Sequence, residues 1–290
     1  MSTDGPMGIV IATRDRRAAL LDTLQRLRAL PETPSIVVVD NGSHDGTADA
    51  VRAAFGDVAV LRPGRNLGSA ARTVGARALT TPLIAFGDDD SWWAPGALTT
   101  AQELFAMTPR LGLLAARVLV GDDERLDPTC AAMARSPLPS PGPGLGPAVL
   151  GFVACGAIVR RAPFLAVGGF DERYGIGGEE WRLALDLARD GWVLAYAPDV
   201  VAHHHPPASG PVRRRRRRVR SARNDLWTTW LNRSLPVAVH RSASILLRAG
   251  AMAPLAAFHA LRGVRWVVRE RRPLAAALEA EVRLVERQLA

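Results

Sequence analysis

The 290-residue sequence contains no lysine, so all 37 basic residues are arginine. That excludes chemistry built on a lysine, such as a Walker phosphate loop or a pyridoxal Schiff base. There are two cysteines, Cys130 and Cys155. They are too few for a disulfide scaffold or a cysteine-rich zinc site, and a reducing compartment follows as the default. No run of 18 uncharged apolar residues occurs, so no membrane-crossing helix is expected. Met1 to Asp15 has neither the basic start nor the apolar core of a signal peptide, and the expected location is cytoplasmic. What is present is ordinary for a globular chain: 48% hydrophobic and 22% charged residues. Such a chain can bury a sizeable core, in one large domain or two small ones.

The net charge of +9 is unevenly spread. Arg213 to Arg223 holds eight arginines with no acid among them. A basic cluster on an otherwise balanced chain suits a polyanionic partner, either nucleic acid or an anionic membrane surface.

The first half alternates strand-like and helix-like segments. Gly8 to Ala12 and Ser35 to Val39 are short apolar runs that suit strands covered on both faces. Between them Leu20, Leu24, Leu27 and Leu30 recur at helical spacing,. A helix over about Thr47–Phe55, a strand at Val58–Leu61, a helix over Ser69–Leu79 and a strand at Leu83–Phe86 follow. This alternation predicts an α/β fold with a mostly parallel central sheet flanked by helices, its ligands at the carboxyl ends of the strands. Pro137 to Pro147, dense in proline and glycine, predicts a loop. A helix near Glu179–Arg189 and a last strand at Val193–Tyr196 come next. From Asn224 onward the pattern is of amphipathic helices.

Asp88-Asp89-Asp90 directly follows the fourth strand. Three consecutive carboxylates repel one another, and a divalent cation shared with substrate phosphates would hold them. A helix N-terminus with surplus acids on a solvated loop fits the same three residues. Other polar groups fall at neighbouring strand ends: Thr13 and Arg14, then Asp40-Asn41-Gly42-Ser43, with Asn66-Leu67-Gly68 opening the helix before the Asp88 strand. Each is ordinary turn chemistry alone. Together they line one sheet edge, as a nucleotide site requires.

With Val37-Val38-Val39-Asp40-Asn41-Gly42-Ser43, Asp45-Gly46-Thr47, Arg65-Asn66-Leu67-Gly68, the Asp88–Asp90 strand end, Gly168-Gly169-Phe170-Asp171-Glu172 and Gly178-Glu179-Glu180-Trp181, the sequence resembles the family 2 glycosyltransferases of GT-A fold over about residues 7–206. The arginine stretch is similar to that of bacterial rhamnosyltransferase-like members. The resemblance implies a catalytic domain over 1–206, with a nucleotide-sugar half at 1–110 and an acceptor half at 111–206. Residues 207–290 would be an arginine-rich linker and a C-terminal helical extension.

By the same resemblance Thr13, Arg14 and Asp40 hold the nucleobase and ribose, and Asn66 and Arg72 lie near ribose or diphosphate. Asp88 and Asp90 match the Asp-x-Asp metal motif, with Asp89 sharing the donor. The implied cation is Mn2+ or Mg2+. Glu180 matches the catalytic base, with glutamate where the family has aspartate; Glu179 beside it would raise its pKa by like charge. Asp171, Glu179 and Trp181 fall on the acceptor side. Of His203-His204-His205, His203 is the expected metal ligand, and a loop with three incidental histidines is the alternative. The implied partners are a nucleotide-diphospho-sugar donor and a saccharide or lipid-linked acceptor, with peripheral contact at the inner face of the plasma membrane and no nucleic acid. Two other functions compete. A nucleotidyltransferase making nucleotide-sugars would want a glycine-rich first loop with lysine, absent from Ile11 to Asp15. A nucleic-acid-binding protein would use the arginine cluster and leave the acidic edge unexplained.

Overall fold

The computed structural model describes residues 5–207 and 210–288, and their side chains except that of Arg213; the first arginine of the cluster thus lies outside the described side chains. The chain starts with β1 (Met7–Thr13), α1 (Arg17–Arg28), β2 (Ser35–Asp40), α2 (Thr47–Ala54) and β3 (Ala59–Leu61). A single 3₁₀ turn, Gly68–Ala70, leads into α3 (Ala71–Ala78), and β4 (Leu83–Asp88) follows. β1 pairs in parallel with both β2 and β4, and β2 with β3. The unbroken apolar runs of β1, β2 and β4 have their cause in burial on both faces. Ile9, Ile11 and Val38 pack towards α1, whose Leu20, Leu24 and Leu27 form one apolar stripe; Val10, Val37 and Ile84 pack on the other side with α3,.

The second half completes a mixed sheet. It contributes β5 (Ser91–Trp93), α4 (Ala97–Met107), β6 (Leu111–Val120), β7 (Arg125–Leu126), α5 (Pro128–Ala134), β8 (Ala157–Arg160), α6 (Arg161–Ala166), α7 (Glu179–Arg189) and β9 (Val193–His204). The sheet order is β3-β2-β1-β4-β8-β6-β9-β5, with β7 on the edge of β6. β8 runs antiparallel between β4 and β6, while β6 and β9 are parallel. The last strand is three times the predicted length. Its apolar pattern is interrupted at Pro198-Asp199, where the register with β6 shifts between Ala116 and Arg117 and pairing then resumes to His204.

Five helices close the chain: α8 (Pro211–Asn232), α9 (Leu235–Ala249), α10 (Ala253–Leu261), α11 (Val264–Glu270) and α12 (Ala276–Gln288). The arginine stretch, expected as a linker, forms the first half of α8. Leu226, Trp227, Ile245, Ala256, Ala260 and Val267 make a separate core that also takes in Tyr174. α12 is held by the buried Arg233, whose Nε lies 2.8 Å from Glu279 and Nη1 2.6 Å from Glu286. Removing both acids would strand a buried guanidinium, at a cost of about 3–5 kcal/mol. One expectation needs correction here. Leu235–Leu261, with a mean hydropathy of 1.4, is long and apolar enough by length and composition to cross a membrane. Arg241 and Arg248 break the uncharged run without lowering the mean below that range. The chain nevertheless turns at Gly250, whose φ of 55° ends α9, and both α9 and α10 lie against α8.

Candidate active site

The site begins at the carboxyl edge of the parallel strands. In register, Thr13 lies beside Asp40, and Ala12 beside Asp88, so the ends of β1, β2 and β4 face one space. Asp40 is buried and accepts a hydrogen bond from the Ser43 amide at 2.8 Å. Asn41, treated above as a turn residue, does more. Its Oδ1 accepts from the Leu67 amide at 2.7 Å and its Nδ2 donates to the Gly68 carbonyl at 3.0 Å, which staples the loop before α3 to the end of β2. Asn66 itself is exposed and accepts only from the Gly68 amide within that loop.

The three aspartates point in different directions. Asp88 pairs with the buried Arg72. Asp89 accepts from Thr13 Oγ1 at 2.8 Å and from Arg16 Nε at 3.2 Å. Burial raises its pKa to about 6 in spite of the Thr13 hydrogen bond. Asp90 meets Arg16 Nη2 at 2.7 Å and His204 Nε2 at 3.3 Å. Arg14, the expected base or ribose contact, is exposed and pairs only with its neighbour Asp15; Arg16 reaches the acids instead. Asp15 adopts a left-handed φ of 52°, which redirects the chain between the two arginines.

His204, not His203, closes the acidic edge. Successive side chains of a strand face opposite sides, and the pairing of β9 with β5 puts His203 against Trp92, where the rings stack 5.5 Å apart. His203 Nδ1 then meets Glu124 at 3.2 Å. One ligand atom each of Asp88, Cys155 and His204 lies within 4.8 Å of the others. Burial would lower the pKa of His204, but the Asp90 hydrogen bond and the charges of Asp88 and Asp90 raise it overall.

α7 starts at Glu179, next to this edge. Glu179 is buried and accepts from the Gly177 amide. Burial first, and the charge of Glu180 second, raise its pKa to about 8. Of the pair, Glu179 is the one withdrawn from water. Both carboxyls are close enough to Arg72 to stabilise its charge. The loop before α7 is pinned by Asn224 of α8, whose Nδ2 donates to Tyr174 O at 3.0 Å and Gly177 O at 2.5 Å. The other two expected acceptor-side residues have packing roles. Trp181 joins Leu138, Leu150 and Val282 of α12. Asp171 caps the turn at Glu172–Tyr174 and pairs with Arg173, which also binds Glu270.

The sequence profile described as glycosyl transferase family 2 matches residues 8–168, more than half the chain. The chain belongs to glycosyl transferase family 2. This family 2 glycosyltransferase is 27% identical to an N-acetylglucosaminyl-diphospho-decaprenol L-rhamnosyltransferase of Mycobacterium tuberculosis, over 60% of this chain and 68% of that one. Its fold is similar to a mannosyltransferase from Pyrobaculum calidifontis in complex with GDP-Man and Mn2+, at a TM-score of 0.61 and 19% identity, covering 91% of this chain and 76% of the other. It is also similar to S. aureus TarS in complex with UDP-GlcNAc, at 0.60 and 14%, over 88% and 70%. Arg16, Asn41, Cys155 and His204 lie at the same sheet edge as the motif residues that the sequence singled out.

Proposed function

We propose that this glycosyltransferase moves a sugar from a nucleotide-diphospho-sugar to a hydroxyl of a lipid-linked saccharide, with inversion at the anomeric carbon. The observation that carries the reading is the convergence of Thr13, Asp40, Asp88 and Asp90 at one sheet edge, with Glu179-Glu180 opening the helix beside it. Asp40 and Asn41 suit ribose and base; Thr13 and Arg16 suit the diphosphate side. Oxygen donors from Asp88 and Asp90 with the His204 imidazole fit a divalent cation. Such an ion would neutralise charge on the departing diphosphate. In the displacement the acceptor oxygen bonds to the anomeric carbon as the bond from that carbon to the phosphate oxygen breaks. Glu180, the half-buried member of the pair, takes the hydroxyl proton, and the nucleoside diphosphate leaves with the bonding electrons. Glu179, protonated at neutral pH, adds no second charge beside Glu180.

The acceptor class is argued from the relative's diphospho-decaprenol substrate and from this chain's C-terminal helices. A cavity of about 470 Å³ between α8 and α10 is lined by Arg215, Arg216, Arg220, Arg223, Val219 and Leu255, a mixture suited to a phosphate joined to an apolar chain. Leu235, Val239, Leu247, Phe258, Leu261 and Val268 are exposed on α9 to α11, so a peripheral seat at an anionic leaflet fits better than a crossing of it. The test is a panel of dTDP-, UDP- and GDP-sugars with and without Mn2+, read as melting-temperature shifts. A stabilisation that needs both one donor and the ion is expected; no shift with any donor would overturn the reading.

A further inference from the structure

The two cysteines have different surroundings. Cys130 is buried with its needs met: its thiol donates to Ala116 O at 3.4 Å and accepts from the Val118 amide at 3.3 Å. Cys155, in the 3₁₀ turn Ala154–Gly156 ahead of β8, is as deeply buried yet has no hydrogen-bond partner among the described residues. Its sulfur instead lies with a carboxylate oxygen of Asp88 and a ring nitrogen of His204, all within 4.8 Å of one another. Three elements contribute: the end of β4, the turn before β8 and the end of β9. Donors sharing one ion at about 2.0–2.3 Å each are separated by at most about 4.5 Å, so the three atoms need only small rotamer adjustments to meet on a single cation. Asp90 lies 3.3 Å from His204 Nε2, so its carboxylate stands at the same cluster.

The geometry points to Cys155 as a further donor to the cation held by Asp88, Asp90 and His204, which makes this an oxygen–sulfur–nitrogen site preferring Co2+ and Zn2+ over Mg2+. The inference rests on the reading that Asp88 faces the donor's cation, and it adds the metal class. Sulfur is a poor ligand for Mg2+, whose preference is for oxygen in octahedral array. It is a good one for Zn2+ and Co2+, and the affinity of mixed-donor sites rises from Mn2+ through Co2+ to a peak at Cu2+, with Zn2+ below that peak. Binding replaces the thiol proton, released to water, with the metal–sulfur bond.

The experiment titrates the full chain with Co2+ and follows near-ultraviolet absorption, where thiolate-to-cobalt charge transfer appears. A band saturating at one ion per chain is expected, lost in Cys155→Ser and kept in Cys130→Ser. Zn2+ should bleach it stoichiometrically, whereas Mg2+ in large excess should not. Zinc X-ray absorption on the unmutated protein gives a readout that needs no variant, with one sulfur at about 2.3 Å expected. Cobalt bound by equilibrium dialysis without a charge-transfer band, or zinc with nitrogen and oxygen neighbours only, overturns the role of Cys155 and leaves the cation reading standing. No cobalt bound at all overturns both.

Discussion

Replacing Glu179 with glutamine is expected to stabilise the protein, and by an amount that grows with pH. The wild-type carboxyl is buried against the Gly177 amide and beside Glu180, and its pKa is about 8 against an ordinary 4.5. Below about pH 4.5 the folded and unfolded chains both hold the proton, and the group leaves stability unchanged. Between there and about pH 8 the unfolded chain releases a proton that the folded chain keeps. Stability then falls as pH rises, by about 1.4 kcal/mol per unit. At pH 7 the two and a half units amount to about 3 kcal/mol. Glutamine has the same shape, still accepts from Gly177 and carries no charge in either state. Urea unfolding at about pH 5 and about pH 7 reads the difference directly, provided the slope with denaturant is unchanged. The variant should gain little at the lower pH and about 3 kcal/mol at the higher. Glu180→Gln, which removes the second cause of the shift, should shrink that gap. A Glu179→Gln variant that tracks the wild type at both pH values would refute the argument, as would one destabilised equally at both.

Four further outcomes are expected. Glu180→Gln should fold and bind donor but lose about 10²-fold or more in transfer rate; near-normal turnover would remove Glu180 as base. Asp90→Ala should abolish the metal dependence of donor binding in calorimetry, and unchanged dependence would refute its place at the cation. Gly68→Ala would put a Cβ 2.6 Å from Gly175 Cα at a φ of 60°, and a loss of about 1–3 kcal/mol in urea unfolding is expected; a loss below about 0.5 kcal/mol would contradict that contact. In liposome flotation the chain should partition to anionic rather than neutral vesicles, each arginine near the leaflet contributing about 1 kcal/mol. Leu247→Glu with Phe258→Glu should weaken it, and binding indifferent to lipid charge would exclude the peripheral seat.

The parallel half of the sheet was legible because β1, β2 and β4 are buried on both faces and separated by helices of clear period. β6 was missed. Leu111 to Val120 is apolar on both faces, with nothing in its period to separate a strand from a buried helix. That His204 and not the expected His203 meets Asp90 is a matter of register. The pairing of β9 with β6 jumps from Ala116↔Ala197 to Arg117↔Val201 across Pro198-Asp199, and an odd shift exchanges the faces of His203 and His204,. The choice between Arg14 and Arg16 turned on the left-handed Asp15, a conformation that aspartate tolerates but does not announce. Cys155 carried no signal at all: a lone cysteine in an apolar segment is ordinarily a small core residue, and only the fold brings it to Asp88 and His204.

The contact between Gly68 and Gly175 ties two loops into one mechanical unit. Ser69 donates to Gly175 O from both its amide, at 3.0 Å, and its hydroxyl, at 2.6 Å, while Arg65 grips Glu172 with both guanidinium arms. The loop that Asn41 staples to the end of β2 is thus riveted to the one that leads to Glu179 and Glu180. Under the proposed function, a donor that reseated the first loop would drag the second, and occupancy on one side would change affinity on the other. Linkage makes the effect reciprocal and equal in both directions: whatever factor the nucleotide-sugar adds to acceptor binding, the acceptor returns to the nucleotide-sugar.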